Sequence, residues 1–445
     1  MKRNSKSENV GAGFKPAPTN RGVAFFWDES FLWGLMAYRA LQNLGLPFDL
    51  VRSDDIKNGC LKYYKMLFVP GGWASNKKKA LNDKGIEGIR EFVKNGGNYL
   101  GFCGGAGLAT LDGIGLLNIT RKPTKERVPS FSGRIYLNLN GHSIWKDFLK
   151  EEVRSQKSEF NSKLKTQNSK LIFNAWWPSQ FVVEDAAIKI LATYGEALPD
   201  SFSSDLNIGD VEAYGEWTGL EKLYQINLNP RRLLNEPAIV EGNCGKGKVI
   251  LSLIHFDTPG DEDGQQVLRN LWGYLGGKQK SGKARKRGSA EDKNPTYELA
   301  HLRASELFAL CSDLISFGER NFLWFWRNPM LLQWRRGVRG LEYCTLYMMI
   351  KEISMIAKDQ NCRGVLQYAP TEKIKDLLIP FTEKANRLLI LERYALQKGH
   401  ITYEKCDDPE IQKIRAELFS ESKSHGGMYK ELIDGVDKIL FSLIK

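Results

Sequence analysis

The chain has 445 residues, 42% of them hydrophobic and 26% charged, which is enough for two or three domains with real cores. Its seven cysteines are odd in number, scattered and without C-x-x-C spacing, which argues against a disulfide framework or a zinc site and fits a reducing compartment. The net charge of +12 invites a nucleic-acid reading, but residues 1–21, 154–170 and 278–293 carry +4, +4 and +5 and leave the rest near neutrality. A surplus confined to linker-like stretches is not a binding face, so no nucleic-acid partner is expected. No stretch approaches about 18 uninterrupted apolar residues, and residues 1–21 are a polar, Gly/Pro-containing tail without an apolar signal core. A cytoplasmic protein with no membrane span is expected.

From residue 22 the pattern alternates. Val23–Phe26 reads as a buried strand, 31–44 as a helix stopped by Gly45, and Phe48–Val51 and Met66–Val69 as further strands. Residues 82–94 form an amphipathic helix closed by Asn95-Gly-Gly97, and Asn98–Phe102 is a strand leading into Cys103. Strands and helices at this interval imply βαβ units and a parallel sheet. Residues 133–139 alternate like a half-exposed strand, and a polar insertion occupies 151–170. Strands resume at Leu171–Pro178, Phe181–Val183, Ala187–Thr193, Ala238–Val240 and Lys248–Ile254. Asn243–Gly247 is a tight turn that leaves Cys244 a bystander. A helix at 263–275 and Gly276-Gly277 close the domain. Residues 278–295 are a basic linker. Residues 296–445 show helical stretches at 296–327, 329–359, 371–398 and 409–444 and no β signal, which predicts an all-α, four-helix bundle with Phe322–Trp326 in its core.

The chemistry centres on Tyr99-Leu-Gly-Phe-Cys-Gly-Gly-Ala-Gly107. A strand turning sharply into a helix with Cys103 at the apex would expose the thiol. The helix N-terminus would favour thiolate, and the next amide would face a developing oxyanion. A glycine-rich turn around an inert thiol has the same composition. Cysteine catalysis also needs a base oriented by a carboxylate. His255 follows the strand Val249–Ile254, and Asp257 stands two residues on; His142 is the fallback base, and His301, His400 and His425 are expected to be solvated. Pro70-Gly-Gly72 ends a strand where Gly72 could pair its amide with that of Gly104 as an oxyanion hole, although the same residues suit a simple turn.

Val69-Pro-Gly-Gly72, Gly101-Phe-Cys-Gly-Gly105 and His255-x-Asp257 occur in an order and spacing that resemble class I glutamine amidotransferase-like domains. The resemblance is closest to the biotin–protein ligase N-terminal domain branch. Ile190-Leu-Ala-Thr-Tyr-Gly-Glu196, Pro237–Val240 and Gly245–Leu251 extend it over about residues 22–276. The resemblance implies a flavodoxin-like α/β fold over 22–277, with Cys103 as nucleophile, His255 as base and Asp257 as orienter. The sequence departs from the family in His255-Phe-Asp257, where His-Pro-Glu is usual. It departs again in Trp176–Gln180, where relatives carry a Gly-Gly segment. Gly71, Trp176 and Trp177 are assigned to substrate binding, with a bulkier mouth.

The expected activity is a cysteine-dependent amidase on a small-molecule amide, glutamine among the candidates, without metal or cofactor. No Gly-Arg-Gly-Arg-type adenylate loop is present; Arg335–Gly340 lies in helical sequence, so biotin ligation is not expected. The competing reading is a non-catalytic binding module that docks a protein partner through 296–445.

Overall fold

The computed structural model describes residues 21–148, 170–277, 295–358, 371–399, 402, 406–420 and 425–445. The expected tail, insertion and linker (1–21, 151–170, 278–295) lie outside these, except for their last residues, Arg21, Lys170 and Pro295, which open elements. Cys362 and His400 also lie outside.

Strand β1 (Arg21–Phe26) runs into α1 (Phe31–Asn43), β2 (Asp49–Val51), α2 (Ser53–Lys57) and β3 (Tyr64–Val69). Then come α3 (Ala74–Lys94), β4 (Asn98–Phe102), α4 (Gly104–Leu108), β5 (Thr120–Arg121), β6 (Phe131–Leu139) and β7 (Lys170–Trp176). The remaining strands are β8 (Phe181–Val182), β9 (Lys189–Ala197), β10 (Phe202–Ser203), β11 (Leu206–Asn207), β12 (Pro237–Cys244), β13 (Gly247–Ser252), β14 (Trp324–Asn328) and β15 (Leu331–Trp334).

The main sheet has two halves. Strands β2-β1-β3-β4-β13 are parallel neighbours, and β12, β9, β6, β7 and β10 extend the sheet through antiparallel pairs. The parallel half has the doubly wound, flavodoxin-like order. The crossover through α1 moves outward from β1 to β2, and the crossover through α3 moves the other way from β3 to β4. Right-handed crossovers therefore place these helices on opposite faces. Val23–Trp27, Met66–Val69 and Val249–Leu251 are buried, as near-continuous apolar runs in a two-sided sheet must be. Strand order reverses between β1 and β3, so the carboxyl ends of β1, β3, β4 and β13 frame a crevice.

Helix α3 starts eight residues before its expected start at 82. Asn82, at φ 48° and ψ −174°, breaks it, and its Oδ1 accepts from the amides of Lys84 and Gly85. The amphipathic stretch expected from sequence is the second half, capped by Asn82. Helices Ile208–Tyr214 and Trp217–Tyr224 have no counterpart among the expected elements.

The C-terminal helical region is present, as Pro295–Arg320, Gly340–Ala357, Thr371–Lys398, Pro409–Phe419 and Gly427–Ile444. Two details differ from the expected helix spans. Residues 324–334 form the antiparallel hairpin β14–β15, because Trp-Phe-Trp favours an extended, half-buried surface once Asn328-Pro329 turns the chain. In the expected core cluster Phe322–Trp326, Leu323 and Trp324 are buried while Phe322 is 73% exposed. The stretch 409–444 breaks at Ser420, at φ 53°.

This region is seated on the α/β unit. Asp437 accepts from Trp27 Nε1 (2.7 Å) and from Arg52 (2.8 Å), whose other nitrogen reaches Asp28. Arg39 pairs with Glu352. Gln333 on β15 accepts from Ser132 on β6 (2.9 Å) and donates to Ser204 O.

Candidate functional site

Cys103 stands between β4 and α4 at φ 47° and ψ −105°, a sparsely populated conformation for a non-glycine residue and a form of strain found at functional turns. The surroundings hold it there. Its amide donates to Ser252 O on β13 (2.8 Å), and its carbonyl accepts from Gly107 (2.9 Å). An ideal Cβ on Gly104 would lie 1.7 Å from Gly72 O and 3.1 Å from Gly72 N. Any side chain at 104 would thus collide with the strand-ending turn. Gly72 itself is at φ 112°, a region open to glycine. The backbones of Gly72 and Gly104 are therefore in contact, and neither amide donates a backbone hydrogen bond within the described residues. Helix α4 is five residues long, so the expected dipole contribution at Cys103 is smaller than a full helix would give.

His255 is fully buried, and its Nδ1 lies 3.0 Å from Asp257 Oδ1. A proton on Nδ1 shared with that carboxylate leaves Nε2 for chemistry, and among the described residues Nε2 has no hydrogen-bond partner of normal geometry. Burial opposes the charged imidazolium, but the Asp257 carboxylate and the Cys103 side chain outweigh it and raise His255 to about 10. The thiol is thus within electrostatic reach of the ring although the pair is not in ideal hydrogen-bond alignment, which is common before substrate closes a site. The ring is hemmed in by Trp33, whose ring centroid is 4.8 Å away, and by Gly71, where an ideal Cβ would approach His255 Cε1 to 3.3 Å.

The two expected tryptophans do different work. Trp176 is buried and its Nε1 donates to Thr258 Oγ1 (3.0 Å), which in turn donates to His255 O (2.8 Å). It braces the histidine loop from behind and is not the wall of the mouth expected from sequence. Trp177, at φ 48°, lies between Trp33 (6.0 Å) and Trp334 (4.8 Å, stacked). Trp334 belongs to the C-terminal hairpin, so the helical region supplies part of the wall beside the site.

His142, the alternative base, is committed elsewhere. Its Nδ1 accepts from Ile144 N (3.3 Å) and its Nε2 lies 3.2 Å from Glu241. That contact, with Tyr274 and Lys248 and against burial, holds Glu241 down at about 2. His425 packs edge-on to Phe31 at 4.9 Å, so the solvated surface expected for it is replaced by an aromatic contact. Among the described residues no group of three or more His, Cys, Asp or Glu converges as a metal site, and no helix is long and apolar enough to cross a membrane.

Several residues at the site carry no obvious signal in the sequence. Lys77 on α3 is fully buried. Its Nζ donates to Asp28 O (3.1 Å) and to Ser30 Oγ. Burial lowers it to about 7 against the opposing pull of Glu29, Asp28, Cys103 and Asp437. One sequence signal does exist for it: Lys77, Leu81, Gly85, Ile89 and Val93 recur at every fourth position, and all are buried. Arg127 and Tyr194 lie within electrostatic reach of Cys103, Trp33 packs on the His255 ring, and Arg121 lies against Gly107 on α4. They come from segments distant in sequence, and only the fold brings them together.

The fold and the site together define a doubly wound α/β unit with a cysteine turn at the carboxyl end of β4 and a histidine–carboxylate pair facing it. Within that unit, residues 55–112, which include both Gly71-Gly72 and Cys103, match the family model described as biotin–protein ligase, N terminal. A search of curated proteins gives no match. Similar solved structures include a glutamine amidotransferase (16% identity, 58% of this chain and 100% of that chain, TM-score 0.35). Others are a putative GMP synthase component from Thermoplasma acidophilum (13%, 57% and 93%, 0.35) and a putative ThuA-like protein from Bacteroides uniformis (13%, 62% and 98%, 0.34). The likeness is at low identity, and the fold described above stands on sheet order and crossovers.

Proposed function

We propose that this protein is a cysteine-dependent amide hydrolase of the glutamine amidotransferase-like type. The observation that carries the reading is the buried His255–Asp257 pair, with an uncommitted Nε2, facing a cysteine held at φ 47°. The Cys103 thiolate attacks the amide carbonyl, forming a C–S bond, and the oxyanion is held by the Gly72 and Gly104 amides. His255 Nε2 gives its proton to the departing amine, and the C–N bond breaks to leave a thioester. Water enters, His255 takes its proton, and hydroxide attack releases the carboxylic acid and returns the thiol. Asp257 keeps the imidazole in the orientation both steps need. The aspartate serves where a glutamate is usual because its carboxylate, though shorter, lies 3.0 Å from Nδ1. Biotin ligation is not part of this proposed activity, and the reaction takes place in the cytoplasm.

The test is labelling with an electrophilic glutamine analogue bearing a diazo-ketone. Stoichiometric modification at Cys103 that disappears in His255→Ala supports the reading. Modification no faster than at Cys244 contradicts it.

A further inference from the structure

Among the described residues, Arg121, which lies against the short helix after Cys103, and Arg127, within electrostatic reach of Cys103, have no acidic partner. A guanidinium that supports a fold spends its N–H groups: Arg415 donates to Glu392 and to the carbonyls of Thr402 and Gly337. Arg121 makes no hydrogen bond or ion pair with any described residue, and its Nε is buried without a partner. Among the described residues Arg127 reaches only two neutral hydroxyls, Ser179 (2.7 Å) and Thr124 (3.4 Å), and its Nε is likewise buried and unpartnered. The two charges also oppose each other: burial first, and then Arg121, weaken the protonation of Arg127.

Both arginines are held in place by backbone pairing. Strand β5 pairs with β8 so that Arg121 stands opposite Phe181, next in sequence to the Trp176–Gln180 segment. Lys122 N donates to Gln180 O (2.9 Å), and Val128 N donates to the Gln180 side chain (3.2 Å). Arg121 rests on the helix that carries the nucleophile, since an ideal Cβ at Gly107 would meet its Nη1 at 2.5 Å. Arg127 is close enough to Cys103 for each to feel the other's charge. Two half-buried guanidiniums whose Nε donors are unpartnered, with no counter-charge among the described residues, are a setting that an anion would complete.

Resting on the hydrolase reading, we infer that the substrate carries an anionic group, carboxylate or phosphate, seated on Arg121 and Arg127 while its amide carbonyl lies at Cys103. The bulky Trp33–Trp177 side then faces the rest of the acyl chain, and a neutral amide is a poor substrate.

Alkylation of the full-length protein by iodoacetate and by its neutral isostere iodoacetamide tests this, read at Cys103 and at Cys244 by peptide mass spectrometry. The expected iodoacetate-to-iodoacetamide rate ratio at Cys103 exceeds that at Cys244 by about tenfold at low salt. It falls to the Cys244 value in Arg121→Gln and in Arg127→Gln. Reading a ratio cancels any general change in thiol reactivity. Equal ratios at the two cysteines, or a Cys103 ratio unchanged in both variants, overturn the inference while leaving the hydrolase reading standing. Slow alkylation of Cys103 by both reagents with the ratio still high supports the anion site and counts against the hydrolase reading instead. Protection of Cys103 by glutarate identifies a carboxylate and protection by inorganic phosphate a phosphate; protection by neither overturns the inference.

Discussion

Lys77→Met should change how stability depends on pH. Lys77 is fully buried, and burial lowers it from 10.5 to about 7. Between those values the unfolded chain holds this proton and the folded protein does not, so the group's contribution to stability rises with pH. Below about 7 the folded protein carries the buried charge and the full cost is present. Each pH unit crossed between the two values is worth about 1.4 kcal/mol, which puts the change in this contribution at about 3 kcal/mol between pH 7 and 9.5. His255 works in the opposite sense. Raised from 6.5 to about 10, it stabilises the fold below about 6.5 and loses that effect as pH climbs towards 10. Both proteins contain His255, so its contribution cancels in the difference. Urea unfolding at the two pH values gives the quantity directly. The stability of Lys77→Met minus that of the unsubstituted protein should fall by about 3 kcal/mol from pH 7 to 9.5. The absolute offset is set by the bonds to Asp28 O and Ser30 that methionine cannot make. A difference that stays flat within about 1 kcal/mol would refute the assignment of a depressed, buried lysine beside Cys103.

Asp257→Asn removes the carboxylate that raises His255; amide turnover should fall at least about 100-fold, and the alkaline limb of the pH–rate profile should move to lower pH. Gly104→Ala drives a methyl group into Gly72 O, where an ideal Cβ would lie at 1.7 Å. It should cost more than about 3 kcal/mol in thermal unfolding, while Gly141→Ala, with nothing within 4 Å, should be near neutral. Asp437→Ala leaves the Trp27 indole N–H without its acceptor and Arg52 with Asp28 alone. Breaking a buried pair of this kind should cost about 3 kcal/mol, measured by denaturant unfolding, and should loosen the contact between the helix Gly427–Ile444 and β1.

The parallel half of the sheet was legible because each of its strands is a short apolar run bounded by glycine or polar residues, and a two-sided sheet needs that composition. The site followed from the same logic. Gly71-Gly72, Cys103 and His255-x-Asp257 all sit directly after such runs, and the structure places them at the carboxyl ends of neighbouring strands. What sequence did not disclose depends on long-range packing. Trp324–Trp334 has helical neighbours on both sides, which masks the extended preference of Trp-Phe-Trp, and docking of Gln333 on Ser132 and Ser204 adds long-range support for the hairpin. Lys77 resembles a surface lysine in its run of three because Asn82 hides the turn of helix before it. Arg121 and Arg127 lie in a stretch with no apolar period, and their significance is the absence of an acidic partner among the described residues, which has no one-dimensional signature. The polar segment at 151–170 and the linker at 278–295 fall almost entirely outside the described residues.

The Cys103–His255 pairing is the centre of the account, and the alkylation rate of Cys103 by iodoacetamide at pH 7, set against that of Cys244, tests it most directly. With His255 raised to about 10, imidazolium faces the sulfur across the neutral range, the kind of neighbour that activates a cysteine. Cys103 should react clearly faster than Cys244, and in His255→Ala its rate should fall to that of Cys244. Equal rates for Cys103 and Cys244 in the unsubstituted protein, or a fast Cys103 that survives His255→Ala, would contradict the pairing.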